Sequence, residues 1–117
     1  MDIEMLKSKI HRATVTEANV EYVGSITIDE ELMAAAGILE WEKVCVADVD
    51  NGARLETYAM KGAAGSGIIC LNGAAAHCCN VGDKVIIMAY GRFTPEEARN
   101  HQPQIVLVGE GNRPMEH

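Results

Sequence analysis

Apolar and polar residues alternate in one short stretch after another, and the dominant period is two. Between residues 5 and 12, Leu6, Ser8 and Ile10 fall on one face and Lys7, Lys9 and His11 on the other, the period of a half-buried strand. Residues 14–19 read as a polar connection, and 20–28 as a strand interrupted at Gly24-Ser25. Residues 43–48 and 54–60 read as strands on either side of Asp50-Asn51-Gly52. Asn-Gly is a strong hairpin signal because a two-residue turn of that kind asks for positive φ at both positions. Residues 61–67 form a loop rich in glycine and alanine, 68–71 a short buried strand, 80–83 a turn, and 84–90 and 104–108 two further strands.

Two stretches break the period of two. Asp29 is suited to cap a helix over 30–36, with Glu30 and Glu31 at its positive end and Gly37 at the C′ position. Leu32, Met33 and Ala36 make its inner stripe. Thr94-Pro95-Glu96-Glu97 has the form of a capping box with proline at the first helical position. Residues 109–117 hold two glycines, a proline and many polar residues, and are expected to be a loose tail. Many short strands, two small helices and frequent glycine turns imply one mostly β barrel domain across residues 1–117.

Composition narrows the possibilities. Apolar residues make up 48% and charged residues 23% of 117 residues, a globular balance rather than a disordered one. No apolar run reaches the roughly 18 residues needed to cross a bilayer, and the N-terminus has no signal-peptide core, so no membrane association and a cytoplasmic location are expected. A net charge of −7, with scattered cations, disfavours nucleic acid as a partner. Cys45, Cys70, Cys78 and Cys79 form no C-x-x-C pair and are expected to be reduced thiols. His77-Cys78-Cys79 lacks zinc-like spacing, so no metal is expected.

Gly24-Ser25 sits in an otherwise apolar, β-patterned run where a strand gains nothing from glycine. Alone, the pair reads as a turn or bulge. There is no nucleophile elbow around Ser66, no dinucleotide fingerprint and no phosphate-binding lysine loop. Thr57 alone reads as an ordinary strand residue, Lys9 as a solvated one, Tyr58 as a core aromatic, and 72–76 as a tight turn entering a short helix.

Taken together, Lys9, Tyr22 with Gly24-Ser25, Arg54 followed by Thr57-Tyr58, and Asn72-Gly73-Ala74-Ala75-Ala76-His77 closely resemble the pyruvoyl-dependent aspartate 1-decarboxylases. Ala35-Ala36-Gly37-Ile38-Leu39-Glu40 and Val81-Gly82-Asp83-Lys84-Val85-Ile86-Ile87 extend the likeness, which runs in register from about residue 5 to about residue 100. The vicinal Cys78-Cys79 pair is not part of that likeness.

The resemblance implies a double-ψ β-barrel, assembled as a homotetramer with active sites between subunits. It implies a precursor that cuts itself between Gly24 and Ser25, giving residues 1–24 and 25–117, with Ser25 becoming a covalently bound pyruvoyl group and no pyridoxal phosphate required. The product enzyme would convert L-aspartate to β-alanine and carbon dioxide for pantothenate and coenzyme A synthesis. The group's ketone would form a Schiff base with the substrate amine and accept electrons as the α-carboxylate leaves. Some relatives use a helper protein for maturation.

Carried onto this chain, Thr57 would stabilise the oxyanion of self-cleavage and touch substrate. Tyr58 would donate the proton that replaces the carboxylate, a role open to a phenol at neutral pH. Lys9 and Arg54 would hold the dianionic substrate, and we assign Arg54 to the carboxylate that stays, because gripping the departing one would favour the ground state. Gly73, Ala74 and Ala75 would offer backbone N–H groups to the substrate, with Asn72 and Tyr22 lining the site. His11 and His77 match the family and receive no catalytic step. The alternative is a small β-barrel binding module whose Gly24–Ser25 bond stays intact.

Overall fold

Eight strands carry the architecture in the computed structural model, which describes residues 1–115. They are β1 (Ile3–Thr14), β2 (Glu17–Asn19), β3 (Ser25–Asp29), β4 (Lys43–Asp48), β5 (Arg54–Gly62), β6 (Ile69–Asn72), β7 (Lys84–Phe93) and β8 (Gln104–Leu107). Helix α1 (Glu30–Ala36) follows β3 directly and α2 (Pro95–Asn100) links β7 to β8. The strands lie in the order β2-β6-β3-β5-β4-β7-β1-β8. Most neighbours are antiparallel, but β1/β8, β2/β6 and β3/β5 are parallel, which requires crossing connections rather than hairpins alone. Inside lies one aliphatic core in which Ile10, Ile26, Ile28, Leu32, Val44, Val46, Ile69, Leu71, Val85 and Ile87 are fully buried.

The local signals for both helices hold. Asp29 Oδ1 accepts from the Glu31 backbone N–H at 2.8 Å, Gly37 takes φ +67° at the C-terminal end, and Leu32, Met33 and Ala36 are buried. Thr94 and Glu97 close the reciprocal capping box of α2. Asp29 does more than cap. Its carboxylate also accepts from Gly65 N at 3.1 Å and Gly67 N at 2.8 Å, so it ties the 61–67 loop to the end of β3.

Four expectations are corrected. Residues 20–24 are turn and bend rather than strand, and β3 begins at Ser25. Tyr22 and Val23 are 64% and 81% exposed, so that apolar run is surface, not core. Part of the expected polar connection is a strand: β2 pairs with β6, and Thr16 Oγ1 accepts from Ile69 N at 2.9 Å just before it. Its side chains lie outside the core, so no burial pattern marked it. In the β4–β5 connection only Gly52 has positive φ, at +77°. The turn is built instead by Asp48 Oδ1 accepting from Asp50 N and Asn51 N at 2.8 and 3.1 Å.

Nor are residues 109–115 a loose tail. Asn112 is buried, accepts from Thr14 N through Oδ1 at 2.8 Å, and donates through Nδ2 to Thr14 O and Gly67 O at 2.8 and 2.7 Å. Met115 N donates to Leu107 O at 2.8 Å. The remainder of the expected tail, 116–117, lies outside the described residues. Among the described residues, no helix is long and apolar enough to cross a membrane.

Candidate active site

Ser25 opens β3 and lies opposite Asn72, the last residue of β6. Residues two apart on a strand share a face, so Ser25 and Thr27 meet Cys70 and Asn72 on one patch. Asn72 Nδ2 donates to Ser25 Oγ at 3.1 Å and to Thr27 Oγ1 at 3.0 Å, while Asn72 Oδ1 accepts from Cys70 Sγ at 3.2 Å. Ser25, Cys70 and Asn72 are all buried. Burial, and next the Glu17 carboxylate, push the Cys70 thiol above its ordinary pKa.

Behind Asn72 the chain turns sharply into a short 3-10 segment, Gly73–His77. Gly73 has φ +63°, and a Cβ there would sit 2.7 Å from both Cα and N of Gly24 and 2.8 Å from Tyr22 O. Glycine is therefore required at 73 on two grounds, its backbone conformation and its contact with another stretch of backbone. Gly24 itself is outside the positive-φ region, and a Cβ on it would meet only Asn72 O, at 3.8 Å.

A cavity of about 220 Å³ opens over this turn, lined by Gly24, Leu55, Glu56, Thr57, Ala74, Ala75 and Cys78. The structure thus gathers Gly24, Thr57, Ala74 and Ala75 at one opening, with Ser25, Asn72 and Gly73 adjoining it. Larger hollows of about 340 and 390 Å³ lie elsewhere, lined by neither Gly24 nor Ser25. Size is a poorer guide here than proximity to the only buried serine–asparagine pair among the described residues.

Lys9, Arg54 and Tyr58 do not line that cavity. Along β5, half-buried Leu55 and Thr57 and buried Ala59 alternate with exposed Arg54 and Glu56 and half-buried Tyr58, and strand geometry puts Thr57 and Tyr58 on opposite sides. The register places Lys9, Met88, Cys45 and Glu56 in one row, and Lys9 is three strand spacings, each about 4.8 Å, from β5. Tyr58 stacks on Trp41 with ring centroids 5.5 Å apart. Among the described residues, neither Lys9 nor Arg54 enters an ion pair. Desolvation, then the charges of Lys9 and Arg12, lower the pKa of His11.

The four cysteines are free thiols. Burial, and next Asp48, push the Cys79 thiol up to about 12. Asp48, Asp50 and Asp83 converge within 4.8 Å, but each carboxylate caps a turn, accepting from backbone N–H groups. Asp48 Oδ2 is buried without a hydrogen-bond partner, and hydrogen bonding to the Asp48 carboxylate raises the pKa of Asp83.

Sequence reasoning passed over Cys70 and Thr27, which complete the contacts of Asn72, and Leu55, Glu56 and Cys78 at the cavity. With β3 and β6 defined, alternation puts 25 with 27 and 70 with 72, and the β3–β6 register brings the two pairs together.

Fold and site define a small barrel of mixed parallel and antiparallel strands with a buried serine hydroxyl, held by an asparagine amide, beside a cavity. The crystal structure of the rationally designed mkDPBB_sym_86 protein, a double-ψ β-barrel, matches with a TM-score of 0.50 at 22% identity, covering 76% of this chain and 97% of that one. The fold is accordingly a mostly β double-ψ barrel with short helices. The aspartate decarboxylase family model matches residues 1–115, and the chain belongs to that family. The aspartate 1-decarboxylase of Caldicellulosiruptor saccharolyticus is 68% identical over 113 residues, 97% of this chain and 88% of that protein. That of Lactiplantibacillus plantarum is 66% identical over 113 residues, 97% and 87% respectively.

Proposed function

We propose that this member of the family removes the α-carboxylate of L-aspartate, giving β-alanine and carbon dioxide for pantothenate and coenzyme A synthesis, on a pyruvoyl group made from its own Ser25. In self-cleavage, Ser25 Oγ attacks the carbonyl carbon of Gly24. Its proton passes to the Ser25 nitrogen as the C–N bond breaks, leaving an ester. Loss of the Ser25 α-proton expels the Gly24 carboxylate and leaves dehydroalanine, which takes up water and releases ammonia. Thr57 donates to the oxyanion at Gly24. Its place on the wall shared with Gly24 supports that role.

The pyruvoyl group supplies an electron sink for the departing carboxylate. The surroundings fit it: residue 25 is buried at the start of a strand, and the Gly73 backbone presses on residues 22–24 where any side chain would collide. Backbone N–H groups of Gly73, Ala74 and Ala75 contact the substrate, and Tyr22 and Asn72 line its surroundings. Arg54 holds the carboxylate that stays, Lys9 is the second cation, and Tyr58 Oη delivers the proton to the carbon losing carbon dioxide.

Lys9, Arg54 and Tyr58 share the outer face of the sheet and do not line the cavity of their own chain. That favours a homotetramer in which one subunit's outer face closes over the cavity of another. Chemistry on a free amino acid fits the cytoplasm.

The observation that carries this reading is the buried Ser25 Oγ, held by Asn72 at 3.1 Å, beside the cavity that Gly24 and Thr57 line. Intact-mass measurement tests it. Two pieces are expected, residues 1–24 and 25–117, the larger with a blocked pyruvoyl terminus, and Ser25→Ala should give one piece and no β-alanine. An uncut chain, or β-alanine formation by Ser25→Ala, would reject it.

A further inference from the structure

The Asn72 side chain is an amide whose two ends have the same shape and opposite hydrogen-bonding character. Which end faces Ser25 matters to the nucleophile. With Nδ2 toward Ser25, the amide donates to Oγ, leaves the hydroxyl proton free to move, and stabilises negative charge growing on that oxygen. Turned over, Oδ1 would accept the Ser25 hydroxyl proton in a hydrogen bond and hold it, because a neutral amide oxygen is too weak a base to take it.

Ser25 and Thr27 do not decide between these states. A hydroxyl donates or accepts equally well, so either end of the amide satisfies both. The deciding partner is on the far side of Asn72, where Cys70 Sγ lies 3.2 Å from Oδ1. Its other acceptors are Leu71 O, at 3.9 Å, and the Glu17 carboxylate. A protonated thiol facing the amide oxygen is a donor meeting a good acceptor; facing the NH₂ group the sulfur could serve only as a weak acceptor. Burial and the Glu17 carboxylate keep the thiol protonated.

We propose that Cys70 is a positioning residue for self-cleavage: its S–H fixes the Asn72 amide with Nδ2 toward Ser25 Oγ, the orientation in which the serine can act as nucleophile. This rests on the self-cleavage reading above. Cys70 touches no reacting atom and acts through Asn72 alone.

The test follows cleavage of freshly made precursor by intact mass in the wild type, Cys70→Ser, Cys70→Ala and Cys70→Val, with a thermal melt of each. Cys70→Ser keeps a donor and is expected to cleave within about threefold of the wild type. Cys70→Ala and Cys70→Val both lose it and should slow by about tenfold, the scale of one net hydrogen bond. Alanine is smaller than cysteine and valine larger, so a cavity or a clash would not slow both while sparing serine. If Cys70→Val does not fold, Cys70→Ala against Cys70→Ser keeps the contrast. Alanine and valine variants cleaving at the wild-type rate, or serine failing with them, overturns the role of Cys70 alone. A wild-type chain that stays in one piece overturns the self-cleavage reading itself.

Discussion

Gly73→Ala probes the contact on which the proposed site is built. At φ +63° an L side chain costs about 1–2 kcal/mol. The added methyl would also lie 2.7 Å from Cα and N of Gly24 and 2.8 Å from Tyr22 O. These are backbone atoms, so no rotamer change relieves the overlap, and overpacking of this kind costs about 1–3 kcal/mol. Together the penalty is roughly 2–5 kcal/mol, enough to lower the melting temperature of a domain this size by about 10 °C. The chain can recover part of it only by moving residues 22–24 away from Asn72. Shifting the Gly24 carbonyl by about 1 Å should then slow cleavage by about a hundredfold. Gly24→Ala is the folding control, because its methyl meets only Asn72 O at 3.8 Å and it should melt with the wild type. Differential scanning fluorimetry and intact-mass time courses read both quantities. A Gly73→Ala chain that melts and cleaves like the wild type would refute the reasoning.

Tyr58→Phe should retain its stacking on Trp41, cleave normally and lose turnover by about 10²–10⁴-fold, measured as β-alanine release; unchanged turnover would remove Tyr58 from the reaction. Arg54→Lys should raise KM for L-aspartate by about tenfold or more through loss of the bidentate grip, and L-alanine should be a very poor substrate of the wild type. Equal turnover of the two amino acids would exclude Arg54 as the side-chain carboxylate's holder. Burial works to raise the pKa of Asp29, but backbone N–H groups of Gly67, Glu31 and Gly65, with Arg113, outweigh it and hold the carboxyl below its ordinary value. The stabilisation is therefore complete above the ordinary carboxylate range and is lost as pH falls through the lowered value. The gap in melting temperature between the wild type and Asp29→Asn should narrow on acidification from pH 7 to about pH 3, and a constant gap would contradict this.

What could be read from the sequence was local. Asp29 and Gly37 bound a helix through contacts within a few residues, as do Thr94 and Glu97. Tertiary pairing could not be read the same way. Nothing near Asn72 in the chain announces Ser25 as its partner, since their separation is closed only by the β3–β6 register. Asn112 looked like part of a polar tail because its three partnered backbone groups lie on Thr14 and Gly67, far away in sequence. The names of the candidate residues came from the family likeness. That Thr57 and Tyr58 look to opposite sides follows from strand alternation once β5 is known to be a strand. Its consequence for the site follows from the proposed tetramer.

A backbone cut between residues 24 and 25 would leave a two-piece molecule with little reason to come apart. The shorter piece keeps β1 laced between β7 and β8 and β2 against β6. The longer piece begins at a residue already clasped by β6. Maturation on this plan can alter the chemistry of the chain while its architecture stands, and separating the pieces should require the same force as unfolding the whole.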